Sequence, residues 1–189
     1  MFSMLPLGSI GRVFEPGCGT GLLGRELRNL TDAVYTGMDL DSRILPGEDG
    51  FFHGDALSDP READLYVASF FFSSIREPVE WLRRVRDRLS PGGLFAVFGE
   101  YDYEATVVSP DGGLGAELLS GLRRSGLHTG HGGRLDDYFS KSGFFRKYGG
   151  EVLSTSRAPD REFLAMHVEH LPDLLPEMKW RIVWGIWRK

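Results

Sequence analysis

The chain has one cysteine, Cys18, among its 189 residues, so no internal disulfide can form and nothing suggests a disulfide-built secreted scaffold. It has no excess of cations either: 22 Lys and Arg stand against 27 Asp and Glu, a net charge of −5. Affinity for nucleic acid draws largely on phosphate neutralisation, so this balance argues against such a partner. The densest basic stretch, Arg83 to Arg88, carries Leu82, Val85 and Leu89 at helical spacing, and its arginines are expected on a solvated helix face. No apolar run approaches the roughly 18 residues needed to span a bilayer. Met1 to Ile10 is broken by Pro6 and Gly8 and has no basic start, so it does not read as a signal peptide. A cytoplasmic protein with no membrane partner is the expectation. Internal repeats, low-complexity segments and Pro/Gly/Ser linkers are also missing, which predicts one domain over residues 1–189. With 41% hydrophobic residues, the chain can bury a sizeable core.

What the chain does have is a run of glycines between a strand and a helix. Val13-Phe14 reads as the end of a buried strand, and Leu22, Leu23, Leu27 and Leu30 fall at helical spacing. Between them lie Gly17, Cys18, Gly19 and Gly21, in a turn where a small Cys18 suits packing. Strand, glycine turn and helix bring backbone amides close to a nucleotide-like ligand. Gly19 to Gly24 fits the G-x-G-x-x-G pattern of dinucleotide sites, a weak signal alone. Glu15 sits where the strand gives way to the turn, and a carboxylate there repels a diphosphate but suits a cationic ligand.

Downstream, strands are expected at Ala33 to Met38, Phe51 to His53, Ala63 to Phe72 and Leu94 to Phe98, with a helix from Pro78 to about Leu89. Their alternation predicts an α/β, doubly wound (Rossmann-like) domain with a mostly parallel sheet. Later segments predict helices around Leu114 to Leu122 and Leu135 to Ser142, and strands at Tyr148 to Ser156 and Trp180 to Trp187; Arg161 to His170 fits either a helix or a strand, with helix preferred. Two late strands without a long crossover would be antiparallel. Ligands of open α/β sheets lie beyond the carboxyl ends of the strands. Glu15, Asp39 and Asp55 each follow one strand, and Asp39, about 20 residues past the glycines, is placed for ribose hydroxyls.

Glu15 with Gly17, Gly19 and Gly21 resembles motif I of the class I S-adenosylmethionine-dependent methyltransferases. The resemblance continues through Gly37-Met38-Asp39, His53-Gly54-Asp55-Ala56, the strand Ala63 to Phe70, and the Trp81 to Gly93 run, covering about residues 12 to 100. It implies a seven-stranded sheet with an antiparallel late strand. It also implies S-adenosylmethionine as cofactor and S-adenosylhomocysteine as product. On the same footing, Glu15 lies near the methionine ammonium, Asp39 with Leu40 at the ribose, Asp55 and backbone Ala56 at the adenine, and Ser69 and Phe70 at the reacting end.

The implied activity is methyl transfer to a small-molecule acceptor. A catalytically silent methyltransferase-like binding subunit is one alternative, and a nucleotide-dependent oxidoreductase, disfavoured by Glu15, is another. About ten residues precede the first strand, where many family members carry a longer helical segment. Residues 101–140 are therefore expected to cover the site, with Tyr101, Tyr103, His128 and His131 as candidate acceptor contacts. Solvent-facing loop positions are the plainer expectation for the two histidines. His128-x-x-His131 lacks a local third ligand, so no metal is expected.

Overall fold

The computed structural model describes residues 1–156 and 161–189. In chain order it contains β1 (Arg12–Pro16), α1 (Leu22–Leu30), β2 (Val34–Asp39), β3 (Phe51–His53), β4 (Ala63–Ser69), α2 (Pro78–Arg88), β5 (Leu89–Ser109), α3 (Leu114–Arg124), α4 (Leu135–Lys141), β6 (Phe145–Ser156), α5 (Arg161–His167) and β7 (Glu177–Arg188). Short 3-10 turns lie at Phe2–Met4, Leu7–Ser9, Phe72–Ser74 and Gly132–Arg134. The seven strands form one sheet in the order β3-β2-β1-β4-β5-β7-β6. β7 runs antiparallel to both of its neighbours, and the other six strands share one direction.

The sheet is covered on two faces because successive side chains of a strand point to opposite sides. From β4, Tyr66 and Ala68 join Phe14, Phe95 and Trp187 under α2 and α4, which supply Trp81, Leu82, Val85, Tyr138 and Phe139. Leu65 and Val67 face the other way and meet Val13, Ala96 and Ile186, with Leu27 of α1 and Leu5 of the amino-terminal segment. Pro78 opens α2, where its missing N–H costs no hydrogen bond. Arg83, Arg84 and Arg88 stand on the exposed side of that helix, as expected.

The largest departure from the sequence expectation is β5. It does not stop at Phe98 but continues to Ser109. Ser69 with Gly99 is the last pair it makes with β4, so residues 100–109 run past the carboxyl edge of the parallel strands and pair with β7 as far as Ser109 with Glu177. The sequence carries a trace of this in the alternation of Tyr101, Tyr103 and Ala105 with Asp102, Glu104 and Thr106, a period of two. α3 and α5 pack on this arm through Leu118, Leu122 and Leu164, around Tyr103 and Met178. β6 also begins earlier than expected, at Phe145, and no helix forms between Leu40 and Gly50.

Candidate functional site

The glycine turn sits at the carboxyl end of β1 and is tied to β2: the N–H groups of Gly17 and Cys18 donate to the Met38 carbonyl at 2.8 and 3.2 Å. Gly17, Gly19 and Gly21 all have positive φ, a conformation costing a side-chain-bearing residue about 1–2 kcal/mol. A Cβ on Gly17 would also lie 2.4 Å from the Phe71 ring. At Gly24 the need is close approach, since a Cβ there would lie 2.4 Å from Tyr35, whose ring wedges between β2 and α1.

Beyond this turn opens a cleft of about 290 Å³. One side is Gly17 with Met38, Asp39 and Leu40, a second is Gly54 through Leu57, and the third is Phe70, Phe71 and Ser74 from the loop after β4. Asp39 accepts from Gly19 N–H through Oδ2 and from Asp41 N–H through Oδ1, both at 2.9 Å. A carboxylate has about four acceptor positions, so both oxygens keep capacity for a ligand diol. Asp55 Oδ1 accepts from Leu57 N–H at 2.9 Å, which shapes the following turn. The buried Ala56 is fixed from below, its carbonyl accepting from the Trp81 indole at 3.2 Å. Leu40 is largely exposed at the rim. Among the described residues lining the cleft there are two carboxylates and no Lys or Arg. A larger depression, about 490 Å³, lies at the amino ends of the parallel strands beside Gly92, Tyr148 and Arg188, away from the end where α/β sheets bind ligands.

Glu15 and Cys18 lie under the turn rather than in the lining. Glu15 is buried and accepts from the Tyr35 hydroxyl. Burial pushes its carboxyl up to about 8 against the Tyr35 hydrogen bond, and the Asp39 charge adds to the rise. The electrostatic preference for a cation over a diphosphate therefore rests at neutral pH on Asp39 and Asp55, with Glu15 holding a proton. Burial, helped by Glu15 and Asp39, pushes the Cys18 thiol to about 12, so it remains an inert packing group.

Ser69 ends β4 opposite Gly99, half-buried and outside the cleft lining. Phe70 is the one described non-glycine residue with positive φ, 53°, and its N–H donates to the Gly99 carbonyl at 2.7 Å. That backbone leaves the ring half-exposed and stacked on Tyr101 at 4.7 Å, at a cost on the order of 1–3 kcal/mol. Tyr101 in turn meets Tyr103 at 5.1 Å and Trp180 at 5.7 Å. Tyr101 and Tyr103 are thus β5 residues and not loop residues; Tyr101 reaches the edge of the site, whereas Tyr103 is buried under α3 and α5.

The histidines take a different place from the one expected. His131 is buried, and its Nε2 donates to the Ile75 carbonyl at 2.9 Å, since a carbonyl can only accept. Its Nδ1 then accepts from the Tyr138 hydroxyl at 2.9 Å. Both nitrogens are engaged in the neutral ring, and burial holds its pKa below the usual imidazole range. His128 stacks on it at 4.7 Å, and the His128 backbone N–H donates to the Ser73 carbonyl at 2.8 Å. The expectation of solvent-facing histidines fails for His131, because the glycine-rich loop docks against the chain after β4. Among the described residues no group of three or more His, Cys, Asp or Glu could hold a metal ion.

Sequence reasoning missed Tyr35, Phe71 and Glu100. Glu100 is fully buried and accepts from Phe72 N–H at 2.7 Å and Ser73 N–H at 3.4 Å. The signal available was an acidic residue directly after an apolar strand, the same position that singled out Glu15, Asp39 and Asp55.

A Gly17→Ala variant is expected to bind cleft ligands several-fold more weakly and to melt earlier, because it forces both a strained φ and a shift of Phe71. Calorimetry with S-adenosylhomocysteine, alongside thermal unfolding, measures the two effects.

Residues 14–95 match a family model described as a methyltransferase domain. No curated protein matches the chain by sequence. Among solved structures, an S-adenosylmethionine-dependent methyltransferase from Mesorhizobium loti aligns with TM-score 0.63 at 22% identity, over 100% of this chain and 95% of that one. A putative methyltransferase from Bacillus halodurans aligns with TM-score 0.71 at 12% identity, over 100% and 96%. A putative methyltransferase from Haloferax volcanii, solved in complex with the Trm112 methyltransferase activator, aligns with TM-score 0.65 at 16% identity, over 97% and 85%. These likenesses establish the fold.

Proposed function

We propose that this chain, whose residues 14–95 match a methyltransferase domain, is a class I S-adenosylmethionine-dependent methyltransferase that transfers a methyl group to a small-molecule acceptor. The observation that carries the reading is the cleft at the glycine turn, which offers two carboxylates and no cation. Such a lining suits a ligand bearing an ammonium and a sulfonium and disfavours a dinucleotide, so the oxidoreductase alternative falls behind. In this reading Asp39 holds the ribose diol, Asp55 and the Ala56 backbone take the adenine, and the amides of Gly17 to Gly21 border the methionine part. Bound there, the cofactor supplies an electrophilic methyl group.

The chain's own contribution is placement. Holding two reactants at near-attack distance is worth on the order of 7–11 kcal/mol, so no acid–base group is required unless the acceptor must lose a proton. Phe70, which lines the cleft, and Tyr101, stacked on it, form an aromatic pair on the side towards the arm. We place acceptor binding there, with the arm of β5 and β7 and helices α3 and α5 flanking it. His131 takes no part as a base in this reading, both of its nitrogens being committed.

The test is conversion of S-adenosylmethionine to S-adenosylhomocysteine by purified protein across a panel of small phenols, amines, thiols and carboxylic acids. Turnover above the no-acceptor background supports the enzyme. Tight S-adenosylhomocysteine binding with no turnover on any acceptor favours the silent binding subunit instead. Tighter binding of NAD than of S-adenosylhomocysteine would sink both.

A further inference from the structure

The loop after β4 forms one wall of the cleft, yet little within the loop itself holds it. It contributes Phe70, Phe71 and Ser74 to the lining, and Phe71 lies against Gly17. Its only regular piece is the single 3-10 turn Phe72–Ser74, too short to satisfy its own leading N–H groups. Those groups point at Glu100. The carboxylate sits on β5, level with Val183 of β7, and takes Phe72 N–H on Oε2 at 2.7 Å and Ser73 N–H on Oε1 at 3.4 Å. A fully buried acid with no ion pair among the described residues is costly to keep. Here each oxygen serves a different backbone donor of the wall.

We propose that Glu100 is the positioning residue of this cleft: its ionised carboxylate fixes the loop so that Phe71 stands against the glycine turn, and loss of that charge loosens the wall and weakens cofactor binding. The inference rests on the reading that the cleft takes S-adenosylmethionine. On protonation one oxygen carries a hydrogen and can no longer accept from the N–H in front of it, so one of the two anchors is lost. Burial pushes the Glu100 carboxyl up to about 7, while the Phe72 and Ser73 amides and the Ser73 hydroxyl oppose the rise. The anchor therefore switches near neutral pH. Few titratable groups surround it. The 3-10 turn presents amides and a hydroxyl, β7 presents Val183, and on β5 the Tyr101 and Tyr103 hydroxyls are pushed up, by burial first and by Glu100 second, and stay uncharged. His131, which anchors the far end of the loop at Ile75, is held neutral by burial. Glu15, under the turn, titrates higher, near 8.

Calorimetry with S-adenosylhomocysteine from pH 5.5 to 9 tests the idea on the intact chain. The expected result is affinity that tightens about tenfold as pH rises through about 7, the loss of one charge-assisted hydrogen bond on the acid side. Glu100→Gln should bind more weakly at pH 8 and, when combined with Glu15→Gln, lose the step. Glu15→Gln should keep it, which separates the two acids. Thermal unfolding checks that each variant is folded, and if Glu100→Gln is not, the parent and Glu15→Gln profiles still decide. Tight binding with a flat profile between pH 6 and 8, or a step that persists when Glu100→Gln is combined with Glu15→Gln, overturns the assignment while leaving the cofactor reading intact. No binding by the parent at any pH overturns both.

Discussion

Asp39→Ala should weaken S-adenosylmethionine and S-adenosylhomocysteine binding by ten- to a hundredfold. A hydrogen bond to a charged group contributes about 1.5–3 kcal/mol, and 1.4 kcal/mol corresponds to a factor of ten. Two effects add in this variant. The proposed ribose diol loses its acceptor, and the Gly19 and Asp41 N–H groups lose theirs, so the glycine turn is left with only its bonds to the Met38 carbonyl at the end of β2. Asp39→Asn separates them, because the amide oxygen can keep one backbone donor while the charge is removed. The expected order of affinity is parent, then Asn, then Ala, measured by calorimetry at pH 8. An alanine variant that binds both ligands as tightly as the parent would remove Asp39 from the site.

The β1 turn and the acids at the strand ends were legible in the sequence because their chemistry is local. Glycine spacing, an acid at a strand end and the switch from strand to helix periodicity all lie within a dozen residues of each other. What was not legible depends on partners far along the chain. Glu15 reads as an exposed selector of ligand charge until Tyr35, twenty residues on, is found bonded to it, in space left by Gly24. His131 reads as a loop histidine among glycines, and its burial requires Ile75 and Tyr138 from two other segments. The length of β5 was hidden by Glu100, Asp102 and Glu104, whose charges resemble a surface excursion. In the fold Glu100 is covered by the turn after β4 and Asp102 is paired with Arg181 of β7 at 2.6 Å, so a charged stretch continues as strand.

Glu15→Gln should flatten the pH dependence of stability, and the parent should become markedly less stable between mild acid and pH 8. The folded carboxyl titrates near 8 against an ordinary value of 4.5, with burial as the main cause. Below 4.5 both states hold the proton and stability is at its full value. Between 4.5 and 8 the folded state keeps a proton that the unfolded chain gives up, so stability falls as pH rises, and above 8 the whole contribution is gone. At 1.36 kcal/mol per pH unit the difference is on the order of 5 kcal/mol, with Glu100 adding a smaller loss of the same sign up to about 7. Urea unfolding of parent and variant at pH 5.5 and pH 8.5 reads it directly. The variant should lose most of the parent's decline, and equal declines in the two proteins would rule out Glu15 as its source. The same proton connects stability to function. If the cofactor ammonium lies beside Glu15, as the family resemblance implies, its charge favours the ionised carboxylate, and binding at pH 7 expels the proton. Calorimetric heats of S-adenosylmethionine binding to the parent should then change with the ionisation enthalpy of the buffer, and that dependence should shrink in Glu15→Gln. Heats that do not vary between buffers for the parent would place the ammonium away from Glu15, leaving that carboxyl as the turn's buried, protonated support.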